Sequence, residues 1–289
     1  MNVLSDLFKP ITVSKLNNSP NYVEIEPCEL LRPYIRCFWG SPRPFKDCDD
    51  EARLVIPDCC MDIIFNIDYS YNKIDNLFCS MNDRPFSSSS TCNQNIISNF
   101  GIRFYFWSAY LFADYDFKIE CNEFYDVDRY FKNLKRNIET IVESYDNIED
   151  RIIHVERLLA NKLCNSIGIN DNLANAIYYI LKSKGTSKVT DISQYAAIST
   201  RQTERIFREH IGISPKKCCS LIRYQNMWVD LVNNNYCNFN ELVYRYEFSD
   251  QAHMINDFKK YHGSSPQKAV NFLNNRGRSM SHFCNTKLV

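Results

Sequence analysis

The feature that constrains this chain most is a degenerate internal repeat near its C-terminal end. Residues 198–215 read ISTRQTERIFREHIGISP and residues 248–266 read FSDQAHMINDFKKYHGSSP. Each copy opens on an apolar residue and a Ser (Ser199, Ser249) and reaches a Phe eight or nine residues later (Phe207, Phe258). A basic residue follows directly (Arg208, Lys259), then a Gly and a Ser-Pro pair. This order predicts a capped helix: Ser supplies the N-cap oxygen, Phe faces the core, Gly ends the helix and Pro opens the next. A short helical stretch stands before each copy, at 190–196 and 240–246. Helix, short turn and capped helix make a helix-turn-helix, here twice over. A longer helix over 215–233 joins the two, with Leu221, Tyr224, Trp228, Leu231 and Val232 as its apolar stripe.

The polar residues of the first copy are as ordered as its apolar ones. Arg201, Glu204, Arg205 and Arg208 fall at i, i+3, i+4 and i+7, on one helix face opposite Ile206 and Phe207. Arginines on the outer face of a short helix suit the DNA major groove, where Arg pairs bidentately with guanine or holds phosphate. In the second copy His253, Asn256 and Lys260 share a face, and Asn reads adenine. A solvated charged face explains either helix alone; two in tandem favour nucleic acid. Charge agrees. The chain as a whole is neutral, with 34 basic and 34 acidic residues, but residues 171–289 hold 16 Lys/Arg against 9 Asp/Glu. The first 170 residues hold the remaining 18 against 25, so an acidic half is joined to a basic one.

Upstream the pattern is different. Residues 54–56, 61–67 and 101–113 are rich in β-branched and aromatic types and predict strands, the last of them as one strand or two. The serine run 87–90 predicts a loop. From Asp128 the period changes: Tyr130, Leu134, Ile138, Ile141 and Val142 predict an amphipathic helix, and Ile152, Val155, Leu158, Leu159 and Leu163 a second. The stretch 166–172, SIGINDN, has linker composition. With 289 residues, two domains are expected. The longest apolar stretch, 104–113, is far short of the roughly 20 residues that span a bilayer. No basic region precedes an apolar core at the N-terminus, so a soluble cytoplasmic protein without a membrane partner is expected.

Thirteen cysteines are scattered without any C-x-x-C spacing, and the five histidines all lie at or beyond His154. A disulfide framework does not fit a chain of this length, and no metal or other cofactor is expected. Reduced thiols as apolar filler are the plain reading; a thiol sensor is the sharper one. Phe38, Trp39, Phe65, Phe104, Phe106, Trp107 and Tyr110 are read as core or as the lining of a ligand pocket.

The C-terminal third, about 172–270, closely resembles the DNA-binding domain of the AraC/XylS family of transcription regulators. The resemblance rests on DISQYAAISTRQTERIFREHIGISP and, more specifically, on FSDQAHMINDFKKYHGSSP. It implies a seven-helix domain whose two recognition helices, about 199–210 and 249–262, enter successive major-groove turns about 34 Å apart. By position it makes Arg201, Glu204 and Arg205, then Ala252, His253 and Asn256, the base readers. Thr200, Gln202, Arg208, Gln251, Lys259 and Lys260 become phosphate or supporting contacts. The family often has Gly in each helix-helix turn, where Ala197 and Glu247 stand here; a positive φ there would cost Glu247 about 1 kcal/mol. The N-terminal half resembles the sensor domain of one AraC-like subgroup through LLRPYIRCFWG, VIPDCCMDIIFN and FGIRFYFWSAY. Related proteins tend to have Gly where Cys59 or Cys60 stands, and Pro where Phe106 stands.

The expected architecture is therefore a multidomain α+β chain. Residues 1–165 form a barrel-like sensor and dimerisation domain, β-rich to about 118 and helical after it. Residues 166–172 form a linker, 173–270 an all-α DNA-binding domain of about seven helices, and 271–289 a tail. The resemblance implies double-stranded DNA and RNA polymerase as partners, an effector at the N-terminal domain, activation more often than repression, and a homodimer. Ile152, Val155, Leu158, Leu159 and Leu163 offer the dimer surface or pack within the chain. No enzymatic activity is expected. A metal-binding enzyme domain wants His that the first half lacks, and the cysteines lack the spacing of alkyl-transfer repair proteins.

Overall fold

The computed structural model describes residues 2–11, 19–47, 53–88, 94–166, 168–233 and 238–276. A short helix α1 (Asn2–Leu7) precedes the strands β1 (Val23–Ile25), β2 (Ile35–Gly40), β3 (Phe45–Lys46), β4 (Arg53–Val55), β5 (Cys60–Asp68), β6 (Lys73–Cys79), β7 (Phe86–Ser88), β8 (Ile96–Tyr105) and β9 (Phe124–Tyr125). The main sheet is antiparallel in the order β1-β2-β8-β5-β6-β9, with β3 also on β8, while β4 and β7 pair apart. Among the described residues the sheet path ends at β1 and β9, so the expected β-rich, barrel-like domain is built on a sheet that does not close. The expected loop at 87–90 begins within β7 at Ser87 and Ser88; Ser89 and Ser90 lie outside the described residues.

Strand register sorts the side chains. Phe38, Ile102, Ile63 and Phe78 stand side by side across β2, β8, β5 and β6, all fully buried. Helix α2 (Asp128–Ser144) lays Tyr130, Phe131, Leu134 and Ile138 into the core, with Phe131 5.0 Å from Phe78 between ring centres. The opposite row holds Cys37, Arg103, Asp62 and Cys79. Arg103 there donates to Asp62 at 2.9 Å, and Glu24 and Asp58 lie within 3.6 Å of the guanidinium. Gly101 has no room for a side chain, since a Cβ would lie 2.2 Å from the Trp39 indole. Cys59 has φ 59°, which makes it the position where a glycine would be unstrained.

The apolar run 101–113 is one strand, not two. β8 ends at Tyr105, and Ser108 bonds the carbonyls of Tyr34 and Tyr105, turning the chain into a 3-10 turn at Ala109–Phe112. Phe38, Phe65, Phe104, Phe106 and Trp107 are fully buried core, whereas Trp39 and Tyr110 are half-buried. In helix α3 (Ile148–Cys164), Ile152, Val155 and Leu159 are buried within the chain. Leu158 and Leu163 are half-buried against the same core, and Ile153 is exposed.

Seven helices follow among the described residues: α4 (Asp171–Lys182), α5 (Val189–Tyr195), α6 (Thr200–His210), α7 (Pro215–Asn233), α8 (Phe239–Arg245), α9 (Gln251–His262) and α10 (Pro266–Arg276). Asn170, inside the expected linker 166–172, caps α4 by accepting from the Leu173 N–H at 3.1 Å, so residues 171 and 172 belong to the helix. Gly168 stands in open space, and Ile167 lies outside the described residues. Helix α7 is the hub: Leu221, Ile222, Tyr224, Trp228 and Leu231 are buried, and Tyr224 and Trp228 both meet Phe258. Of the expected tail, α10 takes residues up to Arg276; 277–289 lie outside the described residues.

Candidate nucleic-acid interface

The first unit is α5, a turn and α6. Ser199 caps α6 as the sequence predicts, and Gln202 reaches back to the Ser199 N–H, closing a capping box. Before it Ala197 has φ 55°, with the Ala197 N–H on Gln194 O and the Ile198 N–H on Ser193 O. That pair of bonds is a Schellman turn. Buried hydroxyls of Ser193 and Thr203, 2.8 Å apart, fasten α5 to α6.

The second unit, α8 and α9, repeats the device with one more residue in its turn. Glu247 has φ 53°, with its N–H on Tyr244 O and the Phe248 N–H on Val243 O. The N-cap is Asp250, not the expected Ser249: its carboxylate accepts from the His253 N–H at 2.7 Å, and Ser249 Oγ donates to it. A carboxylate is the stronger partner for the positive end of a helix, and the longer turn brings Asp250 there. The bond from His253 holds the Asp250 carboxyl below the usual range. Counted from the caps, both units agree, since Phe207 and Phe258 each stand eight residues beyond. The Ser-Phe spacing of the sequence blurred this by one residue.

Helix α6 buries Thr203, Ile206 and Phe207 and exposes Thr200, Arg201, Gln202, Arg205 and Arg208, with Glu204 half-buried. Two i, i+4 pairs on this helix are long, Arg205–Glu209 at 3.5 Å and Arg208–Glu204 at 3.9 Å. Exposed pairs of this kind contribute little and give way to a better partner. Ser199, Arg201, Gln202, Arg205, Arg208 and Glu209 line a shallow hollow of about 440 Å³. Helix α9 buries Met254, Phe258, Tyr261 and His262 and exposes Gln251, Ala252, His253, Asn256, Lys259 and Lys260. Eleven of the twelve residues expected at DNA are thus on the outer faces of two capped helices, and Glu204 is beside them.

Both helices end at a glycine in the left-handed region, Gly212 at φ 82° and Gly263 at φ 78°. Between them lies His262, packed among Trp228, Phe258 and Tyr224 and held neutral by burial, which pushes its pKa down to about 3. Among the described residues no His/Cys/Asp/Glu group could hold a metal ion.

Residues 192–271 match the model of a family described as a helix-turn-helix domain, and residues 23–126 match a domain of unknown function, DUF6597. No curated protein matches the sequence. Among solved structures the chain is similar to ToxT from Vibrio cholerae, at 15% identity over 81% of this chain and 98% of that one, with a TM-score of 0.39. The structure of ToxT from Vibrio cholerae strain SCE256 bound to an unsaturated fatty acid matches at 15% identity over 81% and 94%, with a TM-score of 0.38. No helix of the described residues is long and apolar enough to cross a membrane. Two capped helix-turn-helix units on one hub helix fall within the stretch that matches the helix-turn-helix family, so the C-terminal region is a helix-turn-helix domain of the AraC type.

Proposed function

We propose that the chain is a cytoplasmic, sequence-specific transcription regulator that reads the DNA major groove with α6 and α9. The observation that carries this reading is the match between the two helices in cap-to-Phe spacing, with basic residues outward on each. Arg201, Glu204 and Arg205, with Ala252, His253 and Asn256, are assigned to base edges. Thr200, Gln202, Arg208, Gln251, Lys259 and Lys260 are assigned to phosphate. The first 165 residues serve as sensor and dimerisation domain, 166–172 as linker and 173–270 as DNA-binding domain. A small-molecule effector acts on the sensor, and the regulator activates through contact with RNA polymerase.

Homodimerisation through α3 is part of the proposal, on a revised surface. Ile152, Val155 and Leu159 are committed to the chain's own core, which leaves Leu158, Leu163 and the exposed Ile153 for a partner. The thiol-sensor reading is the weaker alternative, because burial pushes the thiols of Cys59, Cys60 and Cys218 well up and suppresses the reactive thiolate.

A gel shift on the DNA upstream of its own gene, run as a salt series against random DNA, tests the reading. Specific binding should exceed random binding by about a thousandfold or more, with both falling as salt rises. Equal affinity for the two DNAs at every salt concentration would overturn it.

A further inference from the structure

Within their own domain α7 packs on both α6 and α9, and the N-terminal half touches the C-terminal end of both reading helices as well. At the end of α6, the His210 ring packs on Tyr110 at 4.6 Å between centres. Two residues on, Gly212 lies so close to Ile119 that a Cβ would stand 2.7 Å from the Ile119 carbonyl oxygen. At the end of α9, Gly263 faces Pro85 at ordinary contact distance, 3.4 Å from a Cβ position to Pro85 Cγ. Between the two, Lys217 at the start of α7 pairs with Asp83. Burial alone would raise the Asp83 carboxyl; hydrogen bonds from Lys217 and Asn122, with the charges of Lys217 and of Lys260 on α9, hold it below the usual range instead.

The receiving surface is itself tied together. Asp83 N–H donates to Asn122 Oδ1 at 2.9 Å and Asn122 Nδ2 donates to Asp83 Oδ1 at 2.8 Å. The Asn122 N–H donates to Met81 O at 3.0 Å. These bonds join segments 81–85 and 119–122 to one another. Farther along α7, the fully buried Gln225 donates to Pro57 O and accepts from the Ile11 N–H at 3.2 Å, a second tie to the same half.

We propose that this surface, Asp83, Pro85, Tyr110 and Ile119, is an intramolecular gauge that grips both reading helices at their glycine ends and fixes the spacing between them. The inference rests on the proposed reading of α6 and α9 as the DNA-reading helices. A gauge of this kind makes the distance between half-sites part of the recognised sequence. It also gives the N-terminal half a way to change DNA binding without touching DNA, by shifting one end of a rigid pair of contacts.

The test uses the full chain with Asp83→Asn and Tyr110→Leu combined, which removes the charge facing Lys217 and the ring under His210; it replaces no residue assigned to DNA, and the lost charge near Lys260 acts on every site spacing alike. Asp83→Asn alone is the milder variant, since an amide still bonds Asn122. Labels carried on non-canonical amino acids at Glu209 and Lys268 report the distance between the two units without DNA. The parent should give one narrow distribution and the variants a broader one; equal widths overturn the gauge. A site selected from random DNA by the parent is then rebuilt with one base pair added or removed between its halves. The parent should lose about tenfold or more in affinity, and the double variant about threefold or less. An equal loss in both also overturns it. If the parent selects no site at all, the DNA reading fails, and the label distances still decide whether the surface holds the two units in place.

Discussion

At the level of single residues, the turn positions Ala197 and Glu247 carry a strain that the chain tolerates. Both sit in the left-handed region, at φ 55° and 53°, each closing a Schellman turn whose next residue, Ile198 or Phe248, packs inward. Left-handed backbone costs a residue with a Cβ about 1–2 kcal/mol, and glycine gives back part of the gain through its freer unfolded chain. Glu247→Gly and Ala197→Gly should each stabilise the protein by about 0.5–1 kcal/mol, seen as a higher denaturant midpoint with an unchanged slope. Lower midpoints in both would mean the turns are not strained. The turn is legible from the sequence because a glycine position holds another residue; which of Cys59 and Cys60 takes the glycine position upstream is decided only by the Cys59 φ of 59°. The exposed faces of α6 and α9 are legible for a related reason: exposure on a short amphipathic helix follows from spacing alone, whereas the chemistry of each contact does not. Arg205→Ala should cost about 1–3 kcal/mol at the preferred site and relax one base position. Lys260→Ala should weaken all DNA alike and lower the salt slope by about one unit. Selection and salt titration on the two variants decide the assignment, and identical profiles would undo it.

At the level of elements, α3 shows what periodicity leaves open. The stripe Ile152, Val155, Leu158, Leu159 and Leu163 predicts a helix, and α3 spans Ile148–Cys164. The same stripe does not say whether the apolar face meets its own chain or a second copy, because both bury equal surface. The fold spends Ile152, Val155 and Leu159 on the intrachain core. Leu159→Glu should therefore unfold the N-terminal half, as an unpaired buried charge costs several kcal/mol. Leu158→Glu combined with Ile153→Glu should keep the circular dichroism of the parent and shift sedimentation from dimer to monomer. A folded Leu159→Glu protein, or a double variant that sediments as the parent does, would contradict this division of the helix. The strands are less legible. β5 announced itself through alternating β-branched and aromatic residues, but β6, KIDNLFC, is too polar in its first half to stand out. The 3-10 turn after β8 escaped because the bonds that bend the chain at Ser108 go to Tyr34 and Tyr105, and the Tyr34 partner is far away in sequence. Long-range bonds of this kind leave no periodic trace.

For the whole molecule, the sequence suggests two modules and a flexible join, while the contacts describe two modules that hold each other. Helix α1 packs on α4, and Phe8 meets Trp107 at 6.5 Å. The strap 2–11 thus reaches from the sheet to the DNA-binding domain, and Ile11 ends it on Gln225 of α7. The charge split reappears here as the half-buried pair Lys217–Asp83, one partner from the basic half and one from the acidic. A cut in the linker should therefore not separate the halves. Brief proteolysis is expected first at 166–169, where Gly168 stands in open space and the last bond of α3 has already been made. The two fragments should then elute together on a sizing column. They should part only in denaturant, or in the Asp83→Asn and Tyr110→Leu variant at a lower concentration of it, because those contacts span the join. Residues 170–289 made alone should bind DNA while tolerating altered half-site spacing, since the surface that fixes the spacing stays with the other fragment. A first cut within α7 would contradict the hub helix. Fragments that separate at once in buffer would show that the halves are joined by the linker alone, and the long-range contacts of Asp83, Gln225 and Tyr110 would then hold nothing together.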